Sequence, residues 1–151
     1  MSNDTTHNQL AGVQMVLQGG CLCGAIRYQV NGMPFDADHC HCNQCRKSAG
    51  AVVMSWMDFH HEQVQRLQGQ VNEFASSDNI RRGFCQRCGC SLTYRHLDYP
   101  QYTTLSIASL DQPNQVRPTY HIHTDEQVSW LKIEDSCPRY HAAKIAVKQP
   151  D

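Results

Sequence analysis

Long apolar runs are missing from this 151-residue chain. No stretch approaches the ~20 residues that a membrane helix needs, so no membrane association is expected. The opening segment, Met1 to Gln9, is polar and has no apolar core of the secretory type. A cytoplasmic protein with reduced thiols is therefore expected. Charge of one sign is lacking too, since 13 Lys and Arg stand against 14 Asp and Glu, a net charge of -1. The basic residues are scattered, which excludes the usual electrostatic footprint of a nucleic-acid partner. Apolar residues reach only 40%, at the low end for a globular domain, and so modest a core gains from cross-links. Helical periodicity is scarce: 43–49 has room for one turn, and 62–67 carries two well-spaced apolar positions.

What remains reads as one domain of short strands. β-branched and aromatic residues fall in brief stretches between glycines and polar turns, which predicts an all-β fold. Strands are expected at 25–30, 51–56, 71–75, 92–95 and 102–107. Residues 1–14 are expected to be a flexible polar tail, 15–142 a single folded domain, and 143–151 a C-terminal tail.

Cysteine is abundant. Seven of nine cysteines lie in three tight groups: Cys21-Leu22-Cys23, Cys40-His41-Cys42-Asn43-Gln44-Cys45 and Cys85-Gln86-Arg87-Cys88. The odd total and the near-neighbour spacing argue for metal rather than disulfides, because a bridge between such close residues closes a strained loop. Cys21 and Cys23 alternate, so on an extended segment both point to one face. Cys85 and Cys88 bracket a turn closed by Gly89, which can take a positive φ. These four thiolates make a closed tetrahedral set, a structural zinc that pins two segments some sixty residues apart. Zinc suits such thiolate sites best, although iron can occupy them in a heterologous host.

The central group has a different arithmetic. Cys40, Cys42 and Cys45 supply three ligands, and three ligands with an open position is the layout of a catalytic zinc that is more easily lost than a closed one. The alternative is a second structural site closed by His39 or His41. Alternation turns His41 away from Cys40 and Cys42. Three thiolates donate much electron density, which favours thiolate chemistry at the metal over deep acidification of water. Arg46 and Lys47 are the nearest cations that could offset the charge, or they are solvated surface residues.

Four stretches together resemble one known family: Gly19 to Tyr28, His39 to Arg46 followed by Gly50-Ala51, Ser76-Ser77, and Arg82 to Gly89. Ser109-Leu110-Asp111, Pro118 with His121 and Ile122, Trp130, and Pro138-Arg139-Tyr140 resemble its C-terminal signature. The family is that of the glutathione-dependent formaldehyde-activating enzymes, which also includes centromere protein V. The resemblance implies a β-tent fold with zinc-bearing turns, a structural zinc on Cys21, Cys23, Cys85 and Cys88, and a catalytic zinc on Cys40, Cys42 and Cys45. It implies a carbon–sulfur lyase that joins glutathione and formaldehyde into S-hydroxymethylglutathione, or handles a related small thiol adduct. A non-catalytic zinc-binding module for protein interaction or chaperone-like work is the other class that the β-tent fold suggests. The oligomeric state is left open.

Some residues stand apart. Cys90 and Cys137 depart from the family pattern and are read as a small buried residue and a loop thiol. His121 and His123 alternate and could form a metal pair. His121 matches a family position belonging to fold or pocket. Trp130 is expected in the core or a lid rather than on a substrate pocket.

Overall fold

The computed structural model describes residues 14–144, and the expected tails at 1–14 and 143–151 lie outside them apart from residues 14, 143 and 144. Chain order runs β1 (Val16–Gly20), β2 (Arg27–Asn31), β3 (Asp36–Cys40), α1 (Asn43–Ala49), β4 (Met54–His60), β5 (Val64–Gln68), β6 (Asn72–Ala75), β7 (Ile80–Phe84), β8 (Ser91–His96), β9 (Tyr102–Ser106) and β10 (His121–Ile122). The strands form a three-stranded sheet, β1-β2-β5, and a seven-stranded sheet, β10-β3-β4-β9-β8-β7-β6. Every neighbouring pair is antiparallel except β10 with β3. The expected single all-β domain is the observed one.

Alternation in β2 buries Tyr28 and Val30, which pack with Leu17, Ala37, Met57, Phe59 and Leu105 into the main core. Leu17, Val30, Met57 and Phe59 are wholly buried, and each such side chain stabilises the fold by about 1.5–3 kcal/mol. Strand β4 is buried on both faces. Met57 and Phe59 enter the main core, whereas Met54 and Trp56 pack against Cys40 and Cys45 on the other side. The strand thus carries the central cysteine group on the back of the main core. Tyr28 Oη lies 2.7 Å from Ser109 Oγ, and Arg27 pairs with Asp111, so the Ser109-Leu110-Asp111 segment closes one side of the small sheet.

The single turn allowed at 43–49 is a seven-residue helix, with Cys42 as N-cap and Gly50 as C-cap at φ 63°. Four of the five expected strands sit within a few residues of their places. The strand expected at 51–56 starts later, at Met54, because the chain is still leaving the helix cap at 51–53. Strands β1, β3, β5, β7 and β10 were not anticipated. Strand β3, Asp36 to Cys40, is masked by its polar Asp36, Asp38 and His39. At 62–67 the thin helical signal resolves into a single 3₁₀ turn, His61–Gln63, followed by β5, whose mostly exposed residues need no apolar period. Packing also reaches past the expected boundary at 142: Lys144 Nζ sits 4.3 Å from the centre of the Tyr120 ring.

Candidate metal centres

Two turns bring the first four cysteines together. One follows β1 and holds Cys21 and Cys23; the other follows β7 and holds Cys85 and Cys88. The first is a turn rather than the extended segment expected, with Gly24 N–H donating to Cys21 O, yet both sulfurs still converge. Gly89 takes the positive φ anticipated, 74°. All four sulfurs lie within 4.8 Å of one another. Cys21 Sγ is 3.6 Å from Cys23 Sγ, which is 3.8 Å from Cys85 Sγ. A tetrahedron with Zn–S bonds of ~2.3 Å has edges of about 3.8 Å, so these sulfurs fit a metal ion. All nine cysteines are free thiols. Ile26 N–H donates to Cys21 Sγ at 3.2 Å, and the Cys90 and Cys23 amides hold the Cys88 thiol down to about 6. Cys90 is half-buried against Ile26 and Leu92, a packing residue as its small size suggests.

The central group is built from a strand end and a helix start. Cys40 ends β3, Cys42 caps α1, and Cys45 lies in its first turn, so all three sulfurs fall within 4.8 Å of one another. Cys45 N–H donates to Cys42 Sγ at 3.3 Å, which makes a thiolate the capping acceptor at a helix N-terminus. Hydrogen bonds from Cys40, then Cys45, hold Cys42 far below the thiol range, while Cys42, then Cys45, push Cys40 up. Among the described residues no fourth metal-binding side chain joins these three.

His41 does turn away. It is buried behind β3 with Nε2 2.8 Å from His121 Nδ1. His39 also points away, to Ser55 Oγ at 2.7 Å. His121 and His123 make no pair: His121 is fully buried, whereas His123 has φ 55° and lies 3.9 Å from Glu126. Cys137 is a loop thiol, as expected. Trp130 corrects the expectation of a core or lid residue. It is 73% exposed, on a stretch with no strand of its own, and lines no part of the cleft beside the central sulfurs.

The cation beside the central sulfurs is one that spacing did not single out. Arg82 is buried, and its Nη1 donates to Cys45 Sγ at 3.4 Å. Its Nη2 donates to Gln44 Oε1 at 3.3 Å and its Nε to Ser76 Oγ at 3.2 Å, while the guanidinium lies 5.4 Å from the centre of the Tyr94 ring. Arg46 and Lys47 make no such contact with the sulfurs. The signal was available in β7, where Ile80, Arg82 and Phe84 alternate onto one face and place a charge where an apolar residue normally packs.

The sulfurs open onto a cleft of about 590 Å³, within the range of small-ligand sites. Trp56, Tyr94, Arg82, Tyr120 and Ile122 wall it, and Asp38 and Asp58 face into it. Burial, then Asp58 and Asp36, push Asp38 up to about 8, and its Oδ2 has no hydrogen-bond partner among the described residues. Burial also raises Asp58, to about 6, although Thr104 Oγ1 donates to it.

Residues 16–126 match the profile of the glutathione-dependent formaldehyde-activating enzymes. A provisionally named glutathione-dependent formaldehyde-activating enzyme of Halomonas elongata is 28% identical over 132 residues, covering 80% of this chain and 82% of that protein. The crystal structure of a Rhodobacter sphaeroides protein aligns with a TM-score of 0.53 at 20% identity, over 67% of this chain and 91% of that one, a likeness of fold. Cysteine turns on two strand ends and a profile match across most of the strands agree, and the chain belongs to the glutathione-dependent formaldehyde-activating family.

Proposed function

We propose that this chain is a zinc-dependent carbon–sulfur lyase of the glutathione-dependent formaldehyde-activating type, forming or cleaving S-hydroxymethylglutathione or a related small thiol adduct in the cytoplasm. The observation that carries the reading is the central trio: Cys40, Cys42 and Cys45 converge without a fourth ligand among the described residues, and they open onto the cleft. In this reading Cys21, Cys23, Cys85 and Cys88 hold a structural zinc and the central trio a catalytic one. Zinc bound by the trio would supply Lewis acidity toward an aldehyde oxygen or a resting place for a substrate thiolate.

In the synthetic direction the thiol sulfur attacks the aldehyde carbon, and the thiol proton ends on the new hydroxyl oxygen. Cleavage reverses both movements. Arg82 holds Cys45 as an acceptor and offsets the negative charge of the trio. Trp56 and Tyr94, tilted at 50° with centroids 6.2 Å apart, wall the site with apolar surface and limit water. The Asp38 carboxyl faces the same space with a free oxygen, available to a hydroxyl or ammonium donor of the bound molecule. Holding both reactants in one cleft is the main source of acceleration. A non-catalytic module would instead call for a fourth protein ligand at the central site.

The test is the rate of exchange between glutathione and its hydroxymethyl adduct, read by exchange NMR, together with zinc content. Wild type is expected to accelerate exchange, and Cys42→Ser to lose at least about tenfold of that acceleration with one zinc fewer. Undiminished acceleration in Cys42→Ser refutes the reading.

A further inference from the structure

We propose that His39, His121 and Asp135 form a third divalent-metal site, built of nitrogen and oxygen ligands, on the face of β3 turned away from the cysteine cleft. It does not depend on the lyase reading. Cys40 and Asp38 line the cleft, so alternation along β3 sends His39 to the opposite face. Strand β10 pairs parallel to β3 with His121 in register with His39, which puts both imidazoles side by side, their ring centres 4.7 Å apart. The third ligand comes from the C-terminal segment. His121 N–H donates to Pro138 O at 2.8 Å and Tyr140 N–H to His121 O at 2.9 Å, and this run carries Asp135 to the pair. One donor atom from each of the three residues lies within 4.8 Å of the other two.

The surrounding contacts have the form that metal-ligating histidines show. Each imidazole has its Nδ1 tied to a fixed partner, His39 to Ser55 Oγ at 2.7 Å and His121 to His41 Nε2 at 2.8 Å, which orients the ring and leaves Nε2 for a ligand. His121 Nε2 lies 2.9 Å from Asp135 Oδ2, the separation of a pair that closes on itself without an ion. The other carboxylate oxygen is held by Cys137 N–H at 3.1 Å and by Arg139 Nη2 at 3.3 Å. The Arg139 charge opposes a cation, so this site binds more weakly than the thiolate sites. Asp135 is partly exposed, which gives an ion a way in and leaves a further position to water or a small anion. Two histidines and a carboxylate suit Zn2+, Co2+, Ni2+ or Fe2+. Occupancy would fasten the C-terminal segment to the edge of the large sheet.

The test is titration of the reduced full-length chain with Co2+. Thiolate-bound Co2+ gives strong near-ultraviolet charge transfer, and a nitrogen and oxygen site gives only weaker visible bands. The expected result is one equivalent, bound after the thiolate sites, that adds visible bands without charge transfer. Its affinity should fall at least about tenfold in His39→Ala and again in Asp135→Asn, with the thiolate bands of both variants retained as a sign of the native fold. The proposal is overturned if all bound Co2+ shows thiolate charge transfer, or if the extra equivalent binds both variants as tightly as wild type. Thiolate bands are counted separately, so failure of the cysteine sites and failure of this one give different spectra.

Discussion

Arg82 concentrates several physical constraints in one side chain. A guanidinium is rarely so buried, and this one is satisfied by a thiol, an amide oxygen, a hydroxyl and a tyrosine ring. Arg82→Met keeps bulk but removes the charge beside Cys45. The expected outcome is a central metal lost to a mild chelator at least about tenfold faster, with the other cysteine site unchanged; metal release followed with a zinc indicator checks it. Asp58 supplies a pH test. Its folded value, about 6, lies above the ordinary 3.8, so the folded state binds the proton more tightly. Its contribution is full below pH 4 and is lost as pH rises through about 6. Asp58→Asn keeps the acceptor for Thr104 without the charge. The variant is expected to be about 1–3 kcal/mol more stable than wild type above pH 6, with the gap closing below pH 4, in urea unfolding of both proteins across pH. Ligand protonation is common to both and cancels in the difference.

At the scale of the element, α1 depends on its two ends. Seven residues are too few to be stable alone, so the Cys42 cap and the Gly50 stop hold it. A Cβ on Gly50 would meet nothing within 4 Å, so Gly50→Ala costs only the backbone term of a left-handed residue, about 1 kcal/mol. Gly20 differs, because its Cβ would stand 2.2 Å from Ile26 O, a backbone atom that cannot swing aside. Gly20→Ala is expected to cost clearly more than Gly50→Ala, as denaturant midpoints measured side by side will show. The helix was only thinly legible, as room for one turn at 43–49, because its N-cap is Cys42, a thiol outside the usual capping residues. Strand β3 was not legible, since Asp38 and His39 make it polar on both faces and serve the cleft and the His121 contact, while only Ala37 enters the main core.

At the scale of the whole molecule, the two cysteine groups have different mechanical positions. Cys21 and Cys23 follow β1 in the small sheet, and Cys85 and Cys88 follow β7 in the large one, so a metal there would tie the two sheets together. The central trio spans only β3 and α1. Cys85→Ser is therefore expected to lower folding stability on the order of several kcal/mol, and Cys42→Ser much less, with thermal unfolding of the zinc-loaded proteins as the check. Equal losses would contradict this division of labour.

The cysteine groups, their split into four and three, the all-β class and the family were all readable in the order of residues. Each of these depends on residue type at short spacing, which local geometry converts directly into ligand direction and strand alternation. That Arg82 reaches Cys45, that Asp38 and Asp58 share a cleft with the trio, and that His39, His121 and Asp135 meet behind β3 emerged only from the packed fold. Arg82 lies 37 residues from Cys45, and His39 and His121 are farther apart still, so sheet order and register, which no local pattern encodes, bring them within reach.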